Sequence, residues 1–185
     1  MILPIYAYGH PVLKKMGEEI TQEYTKLNEL IENMWETMYH AKGVGLAAPQ
    51  IGLAIRLFIV DTEQIKKEEE ESTFVGIKKA FINPTIITEE GELWSYEEDC
   101  LSIPNINGEV ERQPKVTLQY LNEKFEEVIE TYDGMNARVI QHEYDHIEGK
   151  LFIEKLSPLK KKLIQRKLDN IKRGNVTANY RMKFS

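Results

Sequence analysis

Two imidazoles and a carboxylate in Gln141-His142-Glu143-Tyr144-Asp145-His146 form the pattern H-E-x-x-H. On a helix, residues i and i+4 share one face, so His142 and His146 can grip a single metal ion. Glu143 is offset around that helix yet within reach of a water on the ion, the usual place of a general base. Surface helices that bind nothing also carry this pattern by chance. Here the chain has four histidines in all, and two of them fall in the frame. Two ligands do not complete a catalytic site, so another stretch must supply a third.

Several residues compete for that role. Metalloproteases that extend the motif to H-E-x-x-H-x-x-G-x-x-H use another histidine. Gly149 matches the glycine of that pattern, but Phe152 stands where the histidine belongs. His10 lies in a Gly-His-Pro loop, and His40 ends a helical pattern, where a cation suits the last carbonyls. Glu148 and Glu154 stay open as carboxylate ligands. Cys100, in Glu97-Glu98-Asp99-Cys100-Leu101-Ser102-Ile103-Pro104, is the stronger choice. A lone cysteine is usually a small buried hydrophobe, and acidic neighbours oppose a free thiolate. A bound divalent cation reverses that penalty. One cysteine and two histidines leave a tetrahedral position open for water.

Gly43-Val44-Gly45-Leu46-Ala47-Ala48-Pro49-Gln50-Ile51-Gly52 is the other unusual stretch. Its glycines allow close backbone approach. Neither a Lys-Ser/Thr pair nor G-x-G-x-x-G is present, so a phosphate cradle is a weak reading. A loop offering backbone groups and the Gln50 amide to a ligand fits better.

The elements that would hold these residues follow from periodicity. Leu27, Leu30, Ile31, Met34 and Met38 recur at helical spacing across 23–41. Strands are expected over 56–60, 80–83, 85–88 and 92–96, with a hairpin of 115–121 and 124–131 across Asn122-Glu123. The polar stretch 62–73 reads as a surface loop insertion. Asp133 offers an N-cap to a helix that carries Met135, Val139, His142 and His146 on one stripe until Gly149 ends it. A last helix, 157–174, starts at Ser157-Pro158, with Leu159, Leu163, Leu168 and Ile171 as its expected apolar stripe. Strands in a run, without alternating helices, predict an α+β fold. Antiparallel or mixed strands would pack around the central metal-binding helix, followed by the C-terminal helix.

With 185 residues, 42% hydrophobic and 29% charged, residues 1–185 read as one globular domain. No apolar run approaches the ~20 residues of a membrane span. The N-terminus has no signal-peptide pattern, and the single cysteine excludes an internal disulfide, so a cytoplasmic location fits. Residues 155–185 hold ten Lys and Arg against Asp169 alone, a net +9. With −6 overall, residues 1–154 carry −15. A basic end on an acidic body suits either an anionic partner or a solvated helix face.

Three blocks taken together, Gly43 to Gln50, Cys100-Leu101-Ser102 and Gln141 to His146, resemble the peptide deformylase family. The likeness spans nearly the whole chain, including His10-Pro11-Val12-Leu13 and Gly149-Lys150-Leu151-Phe152. It implies hydrolysis of the formyl group from formyl-methionine at the start of nascent polypeptides. It also implies Cys100, His142 and His146 as ligands to Fe(II), with zinc or nickel as substitutes. In the same way it makes Glu143 the base and gives the oxyanion donors as the Gln50 amide and the Leu101 backbone N–H. It places the substrate backbone along Val44 and Gly45, and the methionine side chain against Met135, the Arg138 stem and Val139. The basic final helix resembles one that docks on ribosomes. One departure is Asp99, where the family usually has glycine, a residue free to take positive φ; the departure bears on substrate contacts there.

Overall fold

The computed structural model describes residues 1–66 and 74–185. In chain order the strands and helices are β1 (Ile5–Tyr6), α1 (Leu27–His40), β2 (Gly45–Ala47), β3 (Leu57–Asp61) and α2 (Glu63–Lys66). Then come β4 (Lys78–Glu90), β5 (Trp94–Cys100), β6 (Ile103–Arg112), β7 (Lys115–Leu121) and β8 (Glu127–Asp133). The chain closes with α3 (Gly134–Ile147), α4 (Pro158–Lys172) and β9 (Met182–Lys183).

Five strands make an antiparallel sheet in the order β2-β3-β4-β7-β8. Successive side chains on a strand point to opposite faces, so each face can bury its own helix. Leu57 and Ile59 of β3 join Ile31, Met34 and Met38 of α1 in one core. Phe58 and Val60 join Ala137, Val139 and Ile140 of α3 in another. The helix bearing H-E-x-x-H is therefore seated on the sheet, central as expected. A second layer, the β5–β6 hairpin, shares a third core with α4, and Cys100 belongs to it. β1 and β9 pair in parallel, which makes the strands mixed overall. The α+β class agrees with the expectation.

Several local expectations are corrected. Strands foreseen at 80–83 and 85–88 are one strand, β4, in which Asn83 takes φ 49 and the register shifts past Pro84. The Asn83 side chain holds both the N–H (2.9 Å) and the carbonyl (2.7 Å) of Ile20, which stabilises the irregularity. Strand β6 was not foreseen. The hairpin turn spans 122–126, not two residues, because Asn122 Oδ1 accepts from the N–H groups of Lys124 and Glu126. Asp133 occupies the N-cap of α3 but makes no side-chain capping bond. Ser157 does cap α4, accepting from Lys160 N–H at 3.2 Å. The stripe buried by α4 is Ile164, Leu168 and Ile171, whereas Leu159 and Leu163 are each 68% exposed. Of the expected insertion 62–73, residues 67–73 lie outside the described residues. Thr62 is not on the surface: it is buried, and its hydroxyl accepts from Ile77 N–H at 2.9 Å and bonds Asn136.

Candidate active site

Three elements converge on the candidate metal ligands. α3 carries His142 and His146 one turn apart, with ring centroids 5.2 Å from each other. β5 delivers Cys100 at its end, where the strand turns back into β6. Donor atoms of Cys100, His142 and His146 all lie within 4.8 Å of one another, and Cys100 Sγ is 3.4 Å from His146 Nε2. A tetrahedral ion with metal–sulfur of about 2.3 Å and metal–nitrogen of about 2.0–2.1 Å requires an S···N edge of roughly 3.5 Å. The residues fit such an ion. The other carboxylates are committed elsewhere: Glu148 pairs with Arg56 (3.3 Å), and Glu154 pairs with Lys14 (2.7 Å). Phe152, at the position of the missing histidine, is buried and stacks on His142 at 5.9 Å. His10 caps a 3-10 turn by accepting from Val12 N–H at 3.2 Å.

Glu143 lies between this group and the sheet. It is buried, and its Oε1 has no hydrogen-bond partner among the described residues. Burial pushes its carboxyl up to about 7, with Glu98 and Asp145 adding to the shift and His142 and Arg112 opposing it. A divalent cation beside it would favour the carboxylate. An unpaired buried oxygen is costly in a finished structure and is ordinarily explained by a ligand or a catalytic role. Gly45 makes room for this residue: a Cβ there would sit 2.6 Å from Glu143 Oε2. Any larger residue at that point of β2 would displace the Glu143 side chain.

Gln50 sits in a 3-10 turn, Ala48–Ile51, rather than in an open loop. Its Oε1 accepts from Ala47 N–H (2.9 Å), which fixes the amide so that Nε2 faces the ligands. Nε2 donates to Ser102 Oγ at 3.2 Å and more weakly to Cys100 Sγ at 3.5 Å. Leu101 forms the turn after Cys100.

These residues open onto a cleft of about 810 Å³. Val44 and Gly45 line it from one side, and Met135, Arg138 and Val139 from α3. Asp99 and Leu101 also line it. Asp99 is exposed in β5, paired with Asn107 just before the register shift at Cys100, and is not among the positive-φ residues. The backbone there makes no demand for glycine, so what the aspartate adds is a charge at the rim.

Sequence reading missed Glu98. It lies two residues before Cys100 and shares its buried face. Glu98 Oε1 is 2.9 Å from His142 Nδ1, and Oε2 accepts from Arg112 Nε (2.7 Å) and Arg138 Nη1 (2.8 Å). Burial would raise the Glu98 carboxyl, yet bonds and charges from His142 and Arg112 hold it well below the usual carboxylate range. Glu98 thus fixes the ring of His142 and leaves Nε2 for the ion, as partners of metal-bound histidines do. His146 is held well below its ordinary pKa by burial first, then by His142 and Arg112, the direction that favours the neutral ring a metal would need. Arg138, expected to offer only its stem, also donates to the carbonyls of Val110 (2.7 Å) and Trp94 (2.6 Å). Of the acidic run that opposes a thiolate, the buried member, Glu98, is neutralised by two arginines, while Glu97 and Asp99 are exposed. Strand alternation was the signal that could have revealed the burial of Glu98.

Comparison with known proteins agrees with this geometry. The family model described as polypeptide deformylase matches residues 2–162. The chain is similar to the peptide deformylase of Christiangramia forsetii, 54% identical over 100% of this chain and 96% of that protein. It is 55% identical to that of Flavobacterium johnsoniae, over 100% of this chain and 97% of the relative. Among solved structures, the Legionella pneumophila peptide deformylase superposes with a TM-score of 0.80 at 38% identity, covering 94% of this chain and 96% of that one. The Thermus thermophilus enzyme gives 0.82 at 34% identity, covering 94% and 99%. With its H-E-x-x-H helix, its Cys100 strand and its five-stranded sheet all inside the stretch matched by the family model, the chain belongs to the polypeptide deformylase family.

Proposed function

We propose that the cleft hydrolyses the N-formyl group of formyl-methionyl nascent peptides, releasing formate and a free amine. The observation that carries this reading is the meeting of Cys100, His142 and His146 beside the unpartnered oxygen of Glu143. When bound, Fe(II), or zinc or nickel in its place, supplies a Lewis acid and lowers the pKa of a water in its open position. Glu143 takes a proton from the attacking water and later hands it to the departing amine. As the water oxygen joins the formyl carbon, charge builds on the carbonyl oxygen, and the C–N bond then breaks. The Leu101 N–H and the second Gln50 N–H, bound only weakly to sulfur, are the donors that meet that charge in this reading. Val44 and Gly45 offer a strand edge for the peptide backbone. Met135, Val139 and the Arg138 stem form an apolar wall for the methionine side chain.

A basic helix fits the same substrate source. On α4, Lys161, Lys162, Arg166 and Lys167 are exposed beside Leu159 and Leu163, a surface suited to ribosomal RNA and protein. Among the described residues no helix is long and apolar enough to cross a membrane. The reading places the enzyme in the cytoplasm, where nascent chains emerge.

A second metallohydrolase class, an endopeptidase, shares the H-E-x-x-H helix. Assay of a formyl-Met peptide beside the same peptide unblocked separates the two. Formate from the first and no internal cleavage of either is expected. Internal cleavage without formate would overturn the deformylase reading.

A further inference from the structure

The turn Cys100-Leu101-Ser102 is pinned from three directions. Gln50 donates to Ser102 Oγ at 3.2 Å, and the Tyr8 N–H donates to the Ser102 carbonyl at 2.9 Å. The third tie comes from the C-terminal segment: Tyr180 Oη donates to the Leu101 carbonyl at 2.6 Å. That segment leaves α4 and returns across the cleft, with Thr177 to Tyr180 among its lining residues. It is anchored on both sides of Tyr180. Asn105 Nδ2 holds the Thr177 carbonyl at 3.2 Å, and β9 pairs with β1, adding Ile5 N–H to the Arg181 carbonyl at 2.9 Å. Val176, Met182 and Phe184 pack on the core that includes Cys100. Residues 163–185 lie beyond the stretch matched by the family model. Nothing in the three-block motif therefore accounts for Tyr180.

We propose that Tyr180 is a positioning residue, whose hydroxyl holds the Leu101 carbonyl and so orients the turn that presents the Leu101 N–H to the cleft. The inference rests on the deformylase reading, in which that N–H meets the developing oxyanion. A ring that only packed would not need its hydroxyl. Releasing the carbonyl lets the Leu101 backbone rotate, which weakens a bond needed most in the transition state and little in the ground state.

Tyr180→Phe in the full chain keeps the ring and removes the bond. One hydrogen bond is worth about 0.5–1.5 kcal/mol net, so kcat for formate release is expected to fall about two- to tenfold. KM, metal content and melting temperature are expected to stay near those of the parent, which serves as the control. A kcat equal to the parent's, or a loss that arises wholly through KM or lower metal content, would overturn the positioning role. Absence of formate release from the metal-loaded parent itself would instead remove the deformylase reading, and this inference with it.

Discussion

Glu143→Ala is expected to keep its metal and lose turnover. The two histidines and Cys100 are untouched by the change, and the carboxylate contributes no ligand atom to their group. General-base catalysis of this kind is worth about 10²- to 10⁴-fold in kcat. Stability should not suffer, because Glu143 Oε1 is buried without a partner among the described residues. Removing a buried, unsatisfied group of this type is commonly neutral or stabilising, the usual trade between activity and stability. Metal analysis, melting temperature and formate release on one preparation check all three parts. Turnover within about twofold of the parent, against the 10² floor expected of a base, would refute the role.

Replacing Glu98 by alanine has the largest expected effect on the fold. Its side chain and those of Arg112 and Arg138 are all 4% exposed or less. Arg112 would keep Asp145 at 2.9 Å, but Arg138 would lose the only carboxylate it pairs with among the described residues. Leaving a buried charge uncompensated costs about 3–5 kcal/mol. For a domain of this size that lowers the melting temperature by on the order of 10 °C. The His142 ring would also lose the acceptor that orients it, and metal affinity should drop about 10- to 100-fold. Thermal unfolding and a competitive chelator titration measure the two effects. An unshifted melting temperature with unchanged affinity would show that the ion pairs do not carry the site.

The parts of this architecture legible in the sequence are those whose signals are local. His142, Glu143 and His146 sit within one helical turn and a half, so spacing alone placed the two histidines on one face with Glu143 offset beside them. The α1 pattern was equally plain, since Ile31, Met34 and Met38 repeat at i, i+3, i+7 and all are buried. Cys100 stood out because the chain has no other thiol. Non-local pairings were hidden. Glu98 reaches Arg112 across a hairpin and Arg138 on a helix, and no sequence period links the three. Strand β6 was masked by Pro104, Asn105, Asn107 and Gly108, which read as turn residues. Its inward set of Pro104, Ile106, Gly108, Val110 and Arg112 nevertheless alternates, and Asn105, at φ 66, lies in the register shift between the Asp99–Asn107 and Cys100–Ile103 pairs. On α4, Leu159 and Leu163 mimic a core stripe at i, i+4. Ile164, Leu168 and Ile171 form the rival stripe one residue around the helix, and packing against β6 selects it. Tyr180 carried no signal at all, because its partner is a backbone carbonyl 79 residues away.

Metal titration of the stripped enzyme tests the deformylase reading most directly. The metal-free chain, prepared anaerobically, receives increasing Fe(II) while formate release from a formyl-Met peptide is followed. Release should be negligible at the start, climb in proportion to the ion added and level off at one ion per chain, as a single Cys100-His142-His146 site requires. Full formate release by the metal-free chain, or none at saturation, would contradict it.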